Sequence, residues 1–230
     1  MSRKITIWKD PYDGGFDISI RRNIEINEGV TIIIGCNGLG KSTFISNIKS
    51  ELKKEKIPFL SYNNLTDGGK RGNGNIIAMA NNWMSSEGEN ITNNLGNKLL
   101  SHAREYINTG KPPKDDNPFN FLRKEREKED EPVSDERWIL LDAVDSGYSI
   151  DIIIHLKEIF DLMINDAINK DVKLYIVASA NEYELASGMP CFDLAKGKYT
   201  EVNSYEEYKN IILKSRYYKD NTRYNKYKSK

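Results

Sequence analysis

The sequence contains little cysteine and little histidine, and its formal net charge is zero. It holds two cysteines and two histidines, and its 34 basic side chains are balanced by 34 acidic ones. Two cysteines, Cys36 and Cys191, are too few for a disulfide framework or a cysteine-based metal cluster. A formal net charge of zero means that overall electrostatics indicate no partner. The 38% hydrophobic and 30% charged content is typical of an ordinary globular domain.

Long apolar runs are also missing. No stretch approaches the ~18 consecutive apolar residues of a membrane-spanning helix. Residues 1–10 contain no apolar run long enough for a secretory signal peptide. We therefore expect a cytoplasmic protein with no membrane span, built around one sizeable core.

The order of the predicted elements indicates an α/β fold. Apolar segments rich in β-branched residues predict strands at Val30–Ile34, Pro58–Tyr62, Trp138–Leu141 and Val172–Ala178. Helical patterns follow them at Thr43–Lys56, Asn90–Ile107 and Ile150–Asn169. This alternation predicts a mainly parallel sheet flanked by helices. Two alternating segments, Ile5–Trp8 and Phe16–Ile20, predict an N-terminal antiparallel β lobe, and Phe192–Leu194 with Tyr199–Val202 predicts a closing hairpin.

Two segments depart from this alternation. Residues 108–137 contain several prolines and a charge run from Arg123 to Glu131, which predicts a charged surface insertion within a domain spanning residues 1–203. Residues 204–230 predict a helix, Ser204–Tyr218, followed by a basic tail rich in Tyr and Lys. From Lys209 onward there are eight basic residues and one acidic residue, a net charge of +7, so the rest of the chain carries −7.

The most specific motif follows the strand Val30–Ile34. Residues 35–42 read Gly-Cys-Asn-Gly-Leu-Gly-Lys-Ser and match the phosphate-loop pattern G-x-x-x-x-G-K-S/T in full. Glycines let the backbone curl so that its N–H groups point at phosphate oxygens, at the positive end of the next helix. Lys41 is then placed to reach the β- and γ-phosphates, and Ser42 to put its hydroxyl on magnesium. The sequence predicts that the chain binds ATP with Mg²⁺.

The extended motif resembles that of ATP-binding cassette ATPases, a family that includes transporters, SMC proteins and RecF-like DNA-repair factors. The resemblance covers most of residues 3–203 and implies a P-loop NTPase fold. It implies a set of nucleotide-binding residues within the loop: Asn37, Gly38, Gly40, Lys41, Ser42 and Thr43. It also implies that Asp142, at the end of the hydrophobic strand Trp138–Leu141, holds magnesium together with Ser42, usually through water.

A second group of residues resembles the parts of the family that act between subunits. Residues 85–89, Ser-Ser-Glu-Gly-Glu, resemble the signature that caps the γ-phosphate bound by the partner subunit, although Glu87 and Glu89 replace a glycine and a glutamine. The same pattern also suits an ordinary helix cap. On the family interpretation Ser86 and Gly88 contact the partner's nucleotide, which implies an ATP-dependent homodimer.

One aromatic residue lies where the family often stacks a ring on adenine. Tyr12 precedes Gly35 by 23 positions. Trp8 and Phe16 are alternatives, and a purely structural aromatic residue is an equal interpretation.

The sequence departs from the family at its catalytic positions. Ala143 stands where a glutamate usually positions the attacking water, and Asn181 is the nearest polar substitute for a missing histidine. Asp145 or Glu182 is a candidate to take over the missing work, and Asn63 or Asn64 stands for the usual glutamine. Losing a water-orienting group costs about 10²–10⁴ in rate without preventing binding. We therefore expect slow hydrolysis, with Asp145 and Asn181 as the catalytic candidates.

Two functions of different classes fit this sequence. One is a nucleic-acid-associated ATPase whose ATP-driven dimerisation clamps or releases DNA or RNA. The other is a nearly inactive, ATP-loaded regulatory or scaffold subunit that presents its insertion to a protein partner. A transporter subunit fits less well, because the 45 positions from Lys41 to Ser86 leave too little room for a transporter's helical subdomain. The basic tail suits phosphate and base contacts, a docked helix with a disordered end, or pairing with acidic groups.

Overall fold

The computed structural model describes residues 2–6, 23–63, 99–112, 134–146 and 148–228. In these ranges, strands lie at Ser2–Thr6 (β1), Asn23–Asn27 (β2), Gly29–Ile34 (β3), Phe59–Asn63 (β4), Glu136–Asp142 (β5), Lys173–Ser179 (β6), Cys191–Asp193 (β7) and Lys198–Thr200 (β8). Helices lie at Lys41–Lys54 (α1), Leu100–Thr109 (α2), Ile150–Asn169 (α3), Tyr183–Ala186 (α4) and Tyr205–Lys228 (α5). Within these ranges no helix is both long and apolar enough to cross a membrane.

Six of the strands form the central sheet in the order β4-β5-β6-β3-β7-β8. Neighbouring strands are parallel except for β7 and β8, which form the predicted hairpin. β1 and β2 form a separate antiparallel pair. The predicted α/β class, the mainly parallel sheet with flanking helices and the N-terminal antiparallel pair are thus confirmed.

The two faces of the sheet bury different sets of helices. In β3 the even-numbered Ile32 and Ile34 pack into a core shared with α2, α3 and α4, whereas Ile33 packs with α1 and the β1–β2 pair. β5 and β6 alternate in the same way, and nearly all of their side chains are buried. Burial on both faces explains why these strands are almost continuously apolar in sequence.

Several boundaries differ from the sequence expectations. The partner of the first strand is Asn23–Asn27, and the predicted partner Phe16–Ile20 lies outside the described residues. β5 begins at Glu136, inside the predicted insertion, most of which lies outside the described residues. α5 continues to Lys228 instead of ending at Tyr218. No glycine or proline interrupts α5, so nothing in its sequence ends the helix earlier.

The parallel strands bring their carboxyl ends to one edge of the sheet. Gly35, Asn63, Asp142 and Ser179 end or follow β3, β4, β5 and β6 at this edge. The chain leaves β3 into α1 on one face and leaves β5 toward α3 on the other face. In open α/β sheets, ligands bind outside the carboxyl edge where successive connections diverge in this way.

Candidate functional site

The turn between β3 and α1 has a backbone path that requires glycine. Gly35, Gly38 and Gly40 have φ angles of 150°, 74° and 107°, which strain residues that carry a Cβ. A Cβ at Gly35 would lie 2.5 Å from Cδ2 of Leu39, a side chain that is itself fully buried. All three glycines belong to the phosphate-loop motif of residues 35–42, so the motif and the local backbone agree.

Lys41 folds back across this turn. Its Nζ donates to the carbonyl oxygen of Gly35 at 2.8 Å and lies 3.4 Å from Oδ1 of Asn37. The side chain is 8% exposed. Burial lowers the pKa of Lys41, and the negative charges of Asp145 and Asp142 oppose that shift. Among the described residues no carboxylate forms an ion pair with this ammonium, so a buried cation contacts only uncharged oxygens.

The first turn of α1 adds further polar groups to the same place. Its N-cap, Gly40, supplies no side-chain hydrogen bond, and the first turn contains no acidic residue. Ser42 is exposed there and Thr43 is half-buried. The first N–H groups of a helix have no partner within it and carry partial positive charge. With the buried ammonium of Lys41 beside them, they fit an anion such as a phosphate.

Asp142 is held at the same edge by its neighbours. Its Oδ1 accepts a hydrogen bond from Oγ of Ser179 at 2.8 Å, and Nδ2 of Asn63 lies 3.3 Å from its Oδ2. Oγ of Ser179 also accepts from the N–H of Ala143 at 2.8 Å. The three hydrogen bonds fix a carboxylate two strands from the phosphate loop, with only β6 between β5 and β3. In the sequence, the only signal for Ser179 is a hydroxyl at a strand end, which does not predict this role.

The structure brings the two catalytic candidates into contact. Oδ2 of Asp145 accepts hydrogen bonds from the N–H groups of Asn181 and Glu182 at 2.6 and 2.8 Å, and Nδ2 of Asn181 lies 3.3 Å from its Oδ1. Asp145 is fully buried. Burial raises the pKa of Asp145, and the hydrogen bonds from the two backbone N–H groups oppose the shift. Nδ2 of Asn181 also donates to Oγ of Ser146 at 3.0 Å.

Ala143 has an unusual backbone for its residue type. Its φ of 51° places an alanine in the left-handed region, which costs about 1–2 kcal/mol for a residue with a Cβ. Its N–H is tied to Ser179 and its carbonyl accepts from the N–H of Ser146 at 3.1 Å. Because alanine has no ionisable side chain, the position directly after Asp142 supplies neither an acid nor a base.

The C-terminal helix supports the phosphate loop from outside the motif. Oγ of Ser215 accepts a hydrogen bond from the N–H of Cys36 at 2.9 Å, and Nζ of Lys219 donates to the carbonyl oxygen of Asn37 at 2.9 Å. Ser215 is 1% exposed and Lys219 is 6% exposed. No sequence pattern predicts these two contacts, because they join residues 179 and 182 positions apart.

The remaining predicted site residues lie outside the described residues. These are Tyr12, Ser86 and Gly88. Of the two histidines, His102 lies in α2 and His155 in α3, and the described ranges contain no cluster of three metal-ligating side chains. A magnesium ion needs no such cluster, because it is usually held by one or two carboxylates together with waters and substrate phosphates. Asp142 and the hydroxyl of Ser42 fit that requirement.

No protein-family model matches the chain, and searches of curated proteins and of solved structures find no match either. The case for a function therefore rests on the residues at the carboxyl edge of the sheet.

Proposed function

We propose that the chain binds ATP with Mg²⁺, as an ATPase of the ATP-binding cassette type, and acts as an ATP-dependent dimerisation switch with slow hydrolysis. The observation that carries the proposal is the glycine turn between β3 and α1, on which the buried ammonium of Lys41 contacts only neutral oxygens within the described part of the chain. Asp142 at the end of β5 supports it, because a carboxylate at the same edge suits the cation that accompanies ATP.

Each group at this edge has a distinct role in the proposal. Lys41 exchanges its contacts with Gly35 and Asn37 for the β- and γ-phosphates, and the first N–H groups of α1 bind phosphate oxygens. Ser42 and Asp142 hold the magnesium ion, with Asp142 acting through water. When bound, the ion neutralises charge on the phosphates. Ser179 and Asn63 keep the Asp142 carboxylate oriented through their hydrogen bonds.

Slow hydrolysis follows from the groups near Asp142. Ala143 has no proton to give or take. Asp145 is buried, and both of its oxygens face donors from Asn181 and Glu182. The Asn181 amide is in turn shared between Asp145 and Ser146. Because Asp145 and Asn181 are engaged with each other, we expect turnover well below ~1 s⁻¹, the lower end of typical enzyme rates.

The switch role adds a second subunit to the site. Ser86 and Gly88, through their resemblance to the family signature, are proposed to cap the nucleotide held by the other copy of the chain. Two nucleotides then lie between two phosphate loops and two signatures in a two-fold homodimer. Ser86→Arg should block this association and leave ATP binding by the monomer intact.

Calorimetric titration with MgATP, paired with a phosphate-release assay, tests the proposal. We expect one MgATP per chain and turnover below ~1 s⁻¹, with weaker magnesium-dependent binding in Asp142→Asn. Failure of the wild-type chain to bind MgATP would refute the site, and turnover above about 10 s⁻¹ would refute slow hydrolysis. Sedimentation that shows only monomer at saturating ATP, with hydrolysis suppressed, would refute the switch.

Two biological roles for this switch are separated by nucleic-acid binding. The unfavourable catalytic residues favour an ATP-loaded scaffold for a protein partner. The basic α5 favours DNA or RNA, because Lys214, Arg216 and Tyr217 are exposed along it. Affinity for DNA that falls steeply with salt and weakens in Lys214→Glu supports the second role. No binding to DNA or RNA at low salt, with or without ATP, supports the scaffold.

A further inference from the structure

α5 buries one regular stripe of side chains against the rest of the chain. Tyr208, Ile211, Ser215 and Lys219 are all at least nine-tenths buried. They are spaced three and four positions apart, which places them on one face of a helix. Two members of this stripe are polar, and both of them contact the phosphate loop.

Lys219 and Ser215 each satisfy a loop group that is otherwise unpaired among the described residues. Lys219 contacts the Asn37 carbonyl oxygen, and Ser215 contacts the Cys36 N–H, which belongs to a buried residue. Burying an ammonium or an N–H without a hydrogen bond is costly, so these contacts favour one conformation of the loop.

Asn37 lies between two lysines. Its backbone oxygen accepts from Lys219 at 2.9 Å, and its side-chain Oδ1 lies 3.4 Å from Nζ of Lys41. The residue that holds Lys41 over the turn is thus itself held by α5. Tyr208 extends the support to the other half of the edge, because its hydroxyl donates to the carbonyl oxygen of Asn181 at 2.9 Å.

We propose that Lys219 and Ser215 are positioning residues of the nucleotide site, so that docking of α5 and binding of MgATP stabilise each other. The inference rests on the proposed function and adds a part of the chain that the phosphate-loop motif does not include. A loop already held in its binding conformation loses less entropy when it binds a ligand. By linkage, the factor by which α5 docking strengthens MgATP binding equals the factor by which MgATP strengthens α5 docking.

The direct test compares two lysines of the same helix. Lys219→Met removes the ammonium and keeps most of the side-chain stem, and Lys214→Met makes the same change at an exposed position. We expect Lys219→Met to raise the Kd for MgATP about fivefold or more, at the lower end of typical coupling between sites. Lys214→Met should leave the Kd unchanged. Lys219→Arg, which keeps the charge and a donor, should recover much of the affinity.

The outcomes separate the inference from the proposed function. Equal Kd values for wild type, Lys219→Met and Lys214→Met would overturn the coupling and leave the nucleotide site intact. A wild-type chain that fails to bind MgATP would overturn both. A loss in Lys219→Met that Lys219→Arg does not recover at all would also overturn the positioning role of the ammonium.

A second measurement needs no variant and so does not depend on folding. Hydrogen exchange of the wild-type chain should slow at the amides of α5, residues 205–221, when MgATP is added. Exchange of residues 150–169 in α3, which make none of the described contacts with the loop, serves as the internal control. Unchanged exchange in α5 at saturating MgATP would overturn the coupling.

Discussion

The two halves of the carboxyl edge hold their charges in different ways. On the β3 side, and among the residues that the structure describes, the ammonium of Lys41 contacts only neutral oxygens beside a helix start with no capping side chain. On the β5 and β6 side, the carboxylates of Asp142 and Asp145 accept hydrogen bonds from the chain's own hydroxyl, amide and backbone donors. The first half is suited to an incoming anion. In the second half, hydrogen bonds within the chain already satisfy most of the carboxylate oxygens.

In the proposed function, this difference separates ligand binding from chemistry within one site. A buried cation with neutral partners gains most from a charged ligand. A carboxylate fixed by its own donors is well oriented, but it does little as a base. The comparison therefore favours a chain that binds its ligand firmly and transforms it slowly.

The largest expected effect comes from removing the charge of the phosphate half. Wild-type protein with MgATP at a hundred times its Kd should gain about 2.7 kcal/mol of unfolding free energy. Lys41→Ala should lose most of that gain, because the cation that meets the phosphates is absent. Thermal or denaturant unfolding with and without MgATP measures the difference. Lys53→Ala, at an exposed position of the same helix, is the control. Equal ligand-dependent gains in wild type and Lys41→Ala would assign the site elsewhere.

A smaller effect should follow from removing a hydrogen bond to a carboxylate on the β5 and β6 side. Ser179→Ala removes the hydroxyl that pairs with Asp142 and with the N–H of Ala143. Leaving buried polar groups unpaired should lower the unfolding free energy by about 2 kcal/mol in the absence of ligand. Denaturant unfolding measures it, with Ser46→Ala on the exposed face of α1 as control, expected within about 0.5 kcal/mol of wild type. If the unfolding free energy of Ser179→Ala equals that of wild type, hydrogen bonds within the chain do not stabilise this half.

The backbone strain at Ala143 predicts a substitution that raises the unfolding free energy instead of lowering it. Ala143→Gly should raise the unfolding free energy by about 0.5 kcal/mol, because relief of the left-handed strain exceeds the extra flexibility of glycine in the unfolded chain. Ala195→Gly, in a turn where alanine has no positive φ, should lower it by a similar amount. Denaturant midpoints of the two variants check the signs. If both variants are destabilised, Ala143 is not strained.

The smallest effect is a dependence on pH that differs between two aspartates. Burial raises the folded-state pKa of Asp145 above that of the unfolded chain, so its ionised form disfavours folding as pH rises through the folded pKa. Asp145→Asn should therefore gain stability relative to wild type as pH rises above the unfolded-state pKa of aspartate, about 3.9. The hydrogen bond from Lys173 lowers the pKa of the exposed Asp135. Asp135→Asn should therefore lose stability relative to wild type as pH rises toward the unfolded-state pKa of aspartate, about 3.9. The same sign for both variants in pH-dependent unfolding would contradict the burial effect at Asp145.

The sequence predicted the parts of the fold that depend on local pattern. Apolar runs predicted β3, β5 and β6, and an amphipathic pattern predicted α3. Because parallel strands end at the same edge of a sheet, Gly35 and Asp142 were then expected at one edge. The alternation of Ile24 and Ile26 is also a strand signal, although β2 was not among the predicted strands. An uninterrupted helix-compatible stretch after Tyr218 was the available signal for the full length of α5.

The sequence could not predict the contacts that join distant segments. Ser179 meets Asp142 only because β6 lies beside β5. Ser215 and Lys219 reach the phosphate loop only because α5 returns to that side of the sheet. A serine and a lysine on a basic helix look like solvent-facing residues in sequence. Their burial depends on tertiary packing, which no local pattern records.

The hydrogen bonds between the phosphate loop and α5 also determine when a newly made chain can complete its site. The bonded residues are 179 and 182 positions apart. At ~5–20 residues per second, the ribosome needs about 10–35 s to reach Ser215 after it has made Cys36. An unfinished chain therefore carries the whole phosphate-loop motif before the support for it exists. If that support strengthens nucleotide binding as proposed, the loop reaches its full affinity only after Ser215 and Lys219 have been made and have folded against it.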